Sequence, residues 1–215
     1  MELVEIWPVH ALRLRTADLD LRPVTEADLP RLCAIFPPDV DLDPAATRYA
    51  ALDDDANRRV ILAQAYWRQL GSWSPHDWAL PFAVRHGGEL IGTQTLEGPD
   101  WTVERLVDSS SWLVPEARGR GLGRQMRAAI LELAFAHLGA RAAITSAVVT
   151  NGGSLGVSRS LGYVDTHRSV LNHSAETLQH LRLEADAWAA SGHGAGVRVE
   201  GVQAALPFFG PGERA

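Results

Sequence analysis

The sequence predicts an α/β domain built on one mixed, mostly antiparallel sheet with helices packed against it. Three observations lead there. Short apolar runs at the two-residue period of a strand are interspersed with stretches at the 3.6-residue period of a helix. Runs 78–85 and 89–96 flank His86-Gly87-Gly88, which reads as a hairpin turn. A third run, 106–114, ends at Pro115 and passes through a glycine-rich loop into an amphipathic helix.

In chain order, 12–16 and 19–23 alternate as strands. Thr25-Glu26-Ala27-Asp28 is a capping-box-like start for a helix running to about Phe36, which Pro37 and Pro38 stop. Residues 37–55 form a loop with aspartates at 39, 41, 43, 53, 54 and 55 against Arg48 alone. A second helix over 56–70 is expected to turn Val60, Ala63, Trp67 and Leu70 inward. The hairpin follows, then a loop over 99–104 and the strand 106–114. In the helix after the glycine loop, Met126, Ile130, Leu133 and His137 recur on one side. The apolar run 142–149 suits a strand buried on both faces. Residues 150–153 make a turn, 154–161 a short helix ended by Gly162, and 163–171 with 177–183 a terminal hairpin. A short helix over 184–190, a glycine-rich linker over 191–196 and an apolar tail over 197–209 complete the chain.

With 215 residues, 46% of them hydrophobic, the chain can bury a full core, and its 21% charged content fits neither disorder nor a coiled coil. A net charge of -6 argues against a nucleic-acid binder. No run approaches the roughly 18 apolar residues of a membrane helix, and the N-terminus lacks the pattern of a signal peptide. Cys33 stands alone, which fits a reducing, cytoplasmic setting. The eight histidines show no metal-binding spacing, so no metal is expected. Every basic residue other than histidine is arginine; without lysine the chain has no Schiff-base former and no Walker loop.

The glycine loop carries the chemistry. Arg118, Gly119, Arg120, Gly121, Leu122 and Gly123 lie between a strand and a helix N-terminus. Free amides converge there, and the helix dipole adds about half a positive charge. Arginines 118, 120, 124 and 127 strengthen the preference for an anion. A dinucleotide fingerprint would need Gly-x-Gly-x-x-Gly after the first strand, which this is not. A plain structural turn is the bland alternative.

Two blocks in order make the pattern specific. Arg118-Gly119-Arg120-Gly121-Leu122-Gly123 resembles the acyl-CoA loop of the GNAT superfamily of N-acetyltransferases. Asn151-x-x-Ser154, followed by Ser158 to Gly162-Tyr163, resembles that superfamily's second block. The Trp112-Leu113 pair and the Asn-x-x-Ser spacing look most like its ribosomal-protein-alanine acetyltransferase branch, as found in actinobacteria. The resemblance covers about residues 10–185. It implies the GNAT fold, with the sheet splayed after the fourth core strand, the one preceding the glycine loop. Residues 1–190 would be a single acyltransferase domain, and 191–215 a linker and tail packed on it or on a partner subunit, with a homo-oligomer, most simply a dimer, expected.

The resemblance also implies roles. Acyl-CoA, either acetyl-CoA or succinyl-CoA, would be the co-substrate. Backbone groups of Trp112, Leu113 and Val114 would pair with its pantetheine, an amide near Trp112 or Leu113 serving as oxyanion hole. Amides of Gly119 to Arg124 would hold the pyrophosphate, Asn151 the pantetheine, and Arg124 or Arg159 the adenosine phosphates. Many family members carry a tyrosine acid where Ser158 stands here. Ser154 is the remaining hydroxyl for the thiolate, or else a helix cap. Asp108, Glu104 and Glu97 are alternative bases for making the acceptor amine neutral. The acidic stretch from Asp39 to Asp43 falls where the acceptor site would be, with Trp67, Trp73 and Trp78 as walls. The acceptor would be a small-molecule amine or a protein N-terminus. The competing class is an acyl-CoA-binding module without catalysis.

Overall fold

The computed structural model describes residues 1–171 and 174–210; His173 and the end of the tail segment, 211–215, lie outside the described residues. A short exposed helix, α1 (Leu3–Ile6), precedes β1 (Arg13–Arg15) and β2 (Leu19–Pro23). Thr25 and Asp28 form the expected capping box, the Asp28 carboxylate accepting the Thr25 amide at 3.0 Å, ahead of α2 (Leu29–Ile35). Asp53 caps α3 (Asp54–Gly71) by accepting the Ala56 amide at 2.7 Å. The hairpin β3 (Trp78–His86) and β4 (Glu89–Gly98) follows, then a one-turn helix α4 (Trp101–Glu104) and β5 (Leu106–Leu113). The glycine loop leads into α5 (Leu122–Glu132), and the chain continues through β6 (Ala142–Val148), α6 (Gly152–Ser160), β7 (Val164–Val170), β8 (Thr177–Glu184), α7 (Ala185–Ser191), β9 (Arg198–Glu200) and α8 (Val202–Ala205).

Among the described residues the strands form one sheet in the order β7-β8-β6-β5-β4-β3-β2-β1-β9. Every neighbouring pair is antiparallel except β5 with β6. That parallel pairing covers only Leu106 with Ala142 and Val107 with Ala143. Beyond Val107 the two strands diverge, and β5 keeps a partner on its β4 side alone. The mixed, mostly antiparallel sheet and its splay therefore match the expectation. The main core lies between the sheet and α5, around Phe82, Leu96, Ile130 and Leu133, while Leu29, Leu32 and Tyr66 seal a smaller cluster on the other face.

Three local expectations differ. Helix α3 buries Ile61 and Tyr66, and Trp67 is 50% exposed, its Nε1 donating to Glu26 at 3.2 Å. The helix thus rolls its aromatic seam one residue back, which the sequence period could not distinguish. His137 is exposed while Leu138 is buried, because residues 133–138 follow α5 as a π-helical stretch. The wider turn carries the apolar stripe forward by one residue. Finally, β6 is sealed at Ala142 and Ala143 but opens towards Ser146, where β5 no longer lies beside it.

The apolar tail folds back on its own chain. Strand β9 pairs with β1, and Val202, Ala205 and Phe209 enter the core. Trp73 and Trp78, expected as walls of an acceptor pocket, instead surround the Phe209 ring at 5.3 and 4.8 Å. Trp101 Nε1 donates to the Phe209 carbonyl at 2.7 Å. The apolar surface that made the tail look like a subunit contact is covered within the chain. Replacing Phe209 by alanine should cost about 3–5 kcal/mol, since the ring leaves a cavity among rigid indoles. Urea denaturation of the variant should show the loss as a lower midpoint with an unchanged slope.

Candidate active site

The divergence of β5 from β6 determines which backbone groups of β5 are available. Val114 donates its amide to the Ile91 carbonyl at 2.9 Å, and Leu113 stands opposite Gly92. In an antiparallel ladder alternate residues point both backbone groups at the partner. Asp108, Ser110 and Trp112 therefore face β4 together with Val114, and Ser109, Ser111 and Leu113 face the open side. Two contacts agree with this phase. The Ser109 amide is taken by the Asp108 carboxylate at 2.6 Å, and Leu113 O accepts from Arg118 Nε at 2.9 Å. The amides of Ser111 and Leu113 are left on the open edge. This corrects the expectation for Trp112 and Val114, whose amides belong to the sheet.

A cavity of about 700 Å³ lies along this edge. Ser111, Trp112 and Leu113 form one wall, and the glycine loop, through Arg118, Gly119, Gly121, Gly123 and Arg124, forms the other. Gly119 and Gly121 have φ of 70° and 78°, so the loop needs the left-handed region that glycine enters without penalty. Gly121 is the N-cap of α5, which presents the unpaired amides of its first turn. Asn151 and Ser154 close the far side. The cap of α6 is Asn151, whose Oδ1 accepts the Ser154 amide at 3.0 Å, so Ser154 is not itself the cap.

Several predicted binding residues lie elsewhere. Leu122 is in the core. Ser158 is 1% exposed and donates to the Ser154 carbonyl at 3.2 Å, turned away from the cavity. Arg159 is held by Asp165 through two contacts of 3.0 and 2.8 Å. Arg120 is exposed on the loop, outside the cavity lining. Arg124 does line the cavity, and it donates to His193 Nδ1 at 3.2 Å, a contact from the linker that no motif indicated.

Arg118 and Arg127 have tasks the spacing did not reveal. Besides the Leu113 carbonyl, Arg118 grips both carboxylate oxygens of Asp39, tying the acidic loop to the glycine loop. Arg127 is 4% exposed; it lines the cavity and donates to Thr145 of β6 at 3.4 Å, and its charge opposes the rise in the Asp108 pKa. It thus stands in the wedge between the two strands. Tyr163 lies beside it as a buried aromatic, its hydroxyl pushed up to about 12 by burial.

A second cavity of about 430 Å³ opens between α2, α3 and the other face of the sheet, and shares Val40, Asp41, Ser111 and Trp112 with the first. Its floor carries Thr93, Thr95 and Ser110. Alternation along the strands puts Glu97 and Asp108, directly opposite one another, on the same face as Thr95 and Ser110. Glu97 accepts from Ser110 Oγ at 2.9 Å. Burial raises the Glu97 pKa, the Ser110 bond opposes this, and the neighbouring Asp108 and Asp77 charges add to the rise. Burial likewise raises Asp108, against the Ser109 amide and the charges of Arg127 and His180. Glu104, the third predicted base, is exposed on α4 and lines neither cavity. Among the described residues no cluster of three metal-ligating side chains occurs.

Two tests follow from this geometry. A β-carbon on Gly92 would lie 2.1 Å from the Trp112 carbonyl oxygen and 3.0 Å from Leu113 Cα. Gly92→Ala must therefore push the end of β5 into the cavity, with an expected cost of about 1–3 kcal/mol, read by urea denaturation. The second concerns pH. Folding raises the Glu97 pKa, so the folded state binds more protons than the unfolded chain between the ordinary carboxylate value and the raised one. Stability attributable to this group falls as pH climbs through that window and stays lost above it. Glu97→Gln should therefore equal or exceed the parent in urea midpoint at neutral pH, and converge with it in acid. A variant markedly less stable at neutral pH would contradict the assignment.

Residues 18–164 match the family model described as the acetyltransferase (GNAT) domain. Solved structures share the fold. A T. thermophilus protein provisionally classed as an acetyltransferase aligns with a TM-score of 0.66 at 19% identity, over 85% of this chain and 93% of its own. The spermidine N-acetyltransferase of Vibrio cholerae in complex with CoA and spermine aligns with a TM-score of 0.60 at 16% identity, over 80% of this chain and 99% of its own. With the family model spanning more than half of the sequence, this chain belongs to the GNAT acetyltransferase family.

Proposed function

We propose that the protein transfers an acetyl group from acetyl-CoA to a primary amine by direct attack, the donor lying along the open edge of β5 and the acceptor in the cavity between α2 and α3. The observation that carries this is the junction of the two cavities at Ser111 and Trp112. The glycine-loop amides and Arg124 bind the phosphates. Ser111 and Leu113 offer their open-edge groups to the pantetheine, and one of their amides donates to the thioester oxygen as negative charge develops there. Glu97, acting through Ser110, takes the proton of the acceptor ammonium, so that its nitrogen can attack the thioester carbon. As the C–S bond breaks, the surplus proton on the attacking nitrogen passes to the departing thiolate, which Ser154 steadies by donating a hydrogen bond. The raised Glu97 pKa suits a base working near neutral pH. Asp108 lies opposite Glu97 and keeps its proton affinity high.

Acetyl suits this arrangement better than succinyl. A succinyl carboxylate would extend past the thioester towards the second cavity, whose lining among the described residues includes Asp41 and Asp43 but no arginine. A small-molecule amine suits it as acceptor, as in the V. cholerae spermidine enzyme of the same fold. A protein N-terminus is the acceptor that the Trp112-Leu113 and Asn151-x-x-Ser154 resemblance to the ribosomal-protein-alanine branch would favour.

Steady release of free thiol from acetyl-CoA in the presence of an amine tests the reaction. Gly121→Glu should weaken acetyl-CoA binding at least about 100-fold by calorimetry, because a carboxylate would meet the phosphates. Retained affinity would remove the glycine loop from the donor site. Glu97→Gln should lower kcat by about 10²–10⁴ while leaving the acetyl-CoA Kd unchanged.

A further inference from the structure

The lining of the second cavity is unequal in a way that bears on the acceptor. Its walls are Leu32, Phe36, Val40, Ile61, Tyr66 and Trp112, with the Phe36 and Trp112 rings edge to face at 5.2 Å. Besides the Tyr66 hydroxyl, polar side-chain groups are confined to the floor strip of Thr93, Thr95 and Ser110, to Ser111 at the junction, to Gln69 of α3, and to Asp41 and Asp43 of the acidic loop. Of those two carboxylates, Asp43 is engaged by the Ala45 amide at 2.9 Å and lies 3.8 Å from Arg68. Asp41 can pair with one further ammonium at the loop; any beyond that, such as the third of spermidine, would lie against aromatic and aliphatic walls, where an unpaired charge is strongly disfavoured. One ammonium at the floor, beside Ser110 and the Glu97 carboxylate, is provided for. A space of about 430 Å³ with mostly apolar walls fits a ring or branched chain behind that nitrogen.

We infer that the acceptor is a primary monoamine carrying an aryl or branched alkyl body, and that the walls between α2 and α3 select it over polyamines and polar amines. This rests on reading the second cavity as the acceptor half of an acetyl-transfer site. Ala65 lines the cavity from α3 and is only half-buried, so a larger side chain there narrows the space without entering the core.

The test combines binding with turnover on the full chain. Calorimetry on protein saturated with CoA compares 2-phenylethylamine, spermidine, 2-methoxyethylamine and an alanyl peptide, and thiol release from acetyl-CoA is measured for each. The expected result is a preference of at least about ten-fold for 2-phenylethylamine in Kd and in kcat/KM. Ala65→Trp should raise its Kd at least about ten-fold and leave the acetyl-CoA Kd unchanged. Preference for spermidine, 2-methoxyethylamine or the peptide, or binding of 2-phenylethylamine that ignores Ala65→Trp, overturns the inference while leaving acetyl transfer intact. So does the absence of binding by 2-phenylethylamine. Binding that depends on Ala65 without any thiol release overturns acetyl transfer and leaves the ligand class of the cavity standing.

Discussion

The site depends on a pairing that stops early. Strands β5 and β6 run parallel and bond over two residue pairs, then separate. A strand inside a sheet normally has its amides and carbonyls used on both sides. Here the alternation fixed by the Val114–Ile91 bond leaves Ser111 and Leu113 with groups on an open edge inside the fold. Arg127 stands in the wedge, bonded to Thr145 on β6. A buried guanidinium needs strong compensation, and the neighbouring Asp108 carboxylate supplies charge of the right sign. The wedge is thus a built feature, held open by polar groups where an ordinary sheet would close.

Arg118 connects the two halves of the site. Its guanidinium holds Asp39 from the loop after α2, and its Nε holds the Leu113 carbonyl at the end of β5. A planar, multi-donor group can serve both partners at once, which an ammonium on a flexible stem would do less rigidly. The acidic loop is thereby fixed over the junction of the cavities. Carboxylates of the loop and of the sheet are treated oppositely: Asp39 is held below its usual range by Arg118, whereas Glu97 and Asp108 are raised by burial. Such a division separates a structural anion from groups suited to accepting a proton.

Much of this was legible in the chain. The hairpin, the capping box at Thr25, the glycine loop and the α6 start at Asn151 are short-range features, each set by a turn residue or a cap within a few positions. Their order and spacing carried the family resemblance, and with it the splayed sheet. Asp108 could be named as a candidate from its strand, and Glu97 with Glu104 from the connection before it. That Glu97 and Asp108 stand opposite one another, while Glu104 is exposed on α4, required the register of β4 with β5.

Local devices follow from neighbours along the chain: which turns need glycine, where helices start and stop, and which loop can hold an anion. Partners from distant elements follow only from the packed fold. Arg118 met Asp39, Arg127 turned into the wedge, and Arg159 met Asp165, although the spacing had grouped the first two with the phosphate loop and left Arg159 open to the adenosine phosphates. An arginine carries several rotatable bonds and five donors, so its neighbours in space, contributed by distant elements, determine what it binds. The same holds for the tail, whose apolar residues implied only that something covers them. In the fold, Phe209 packs against Trp78 of the same chain.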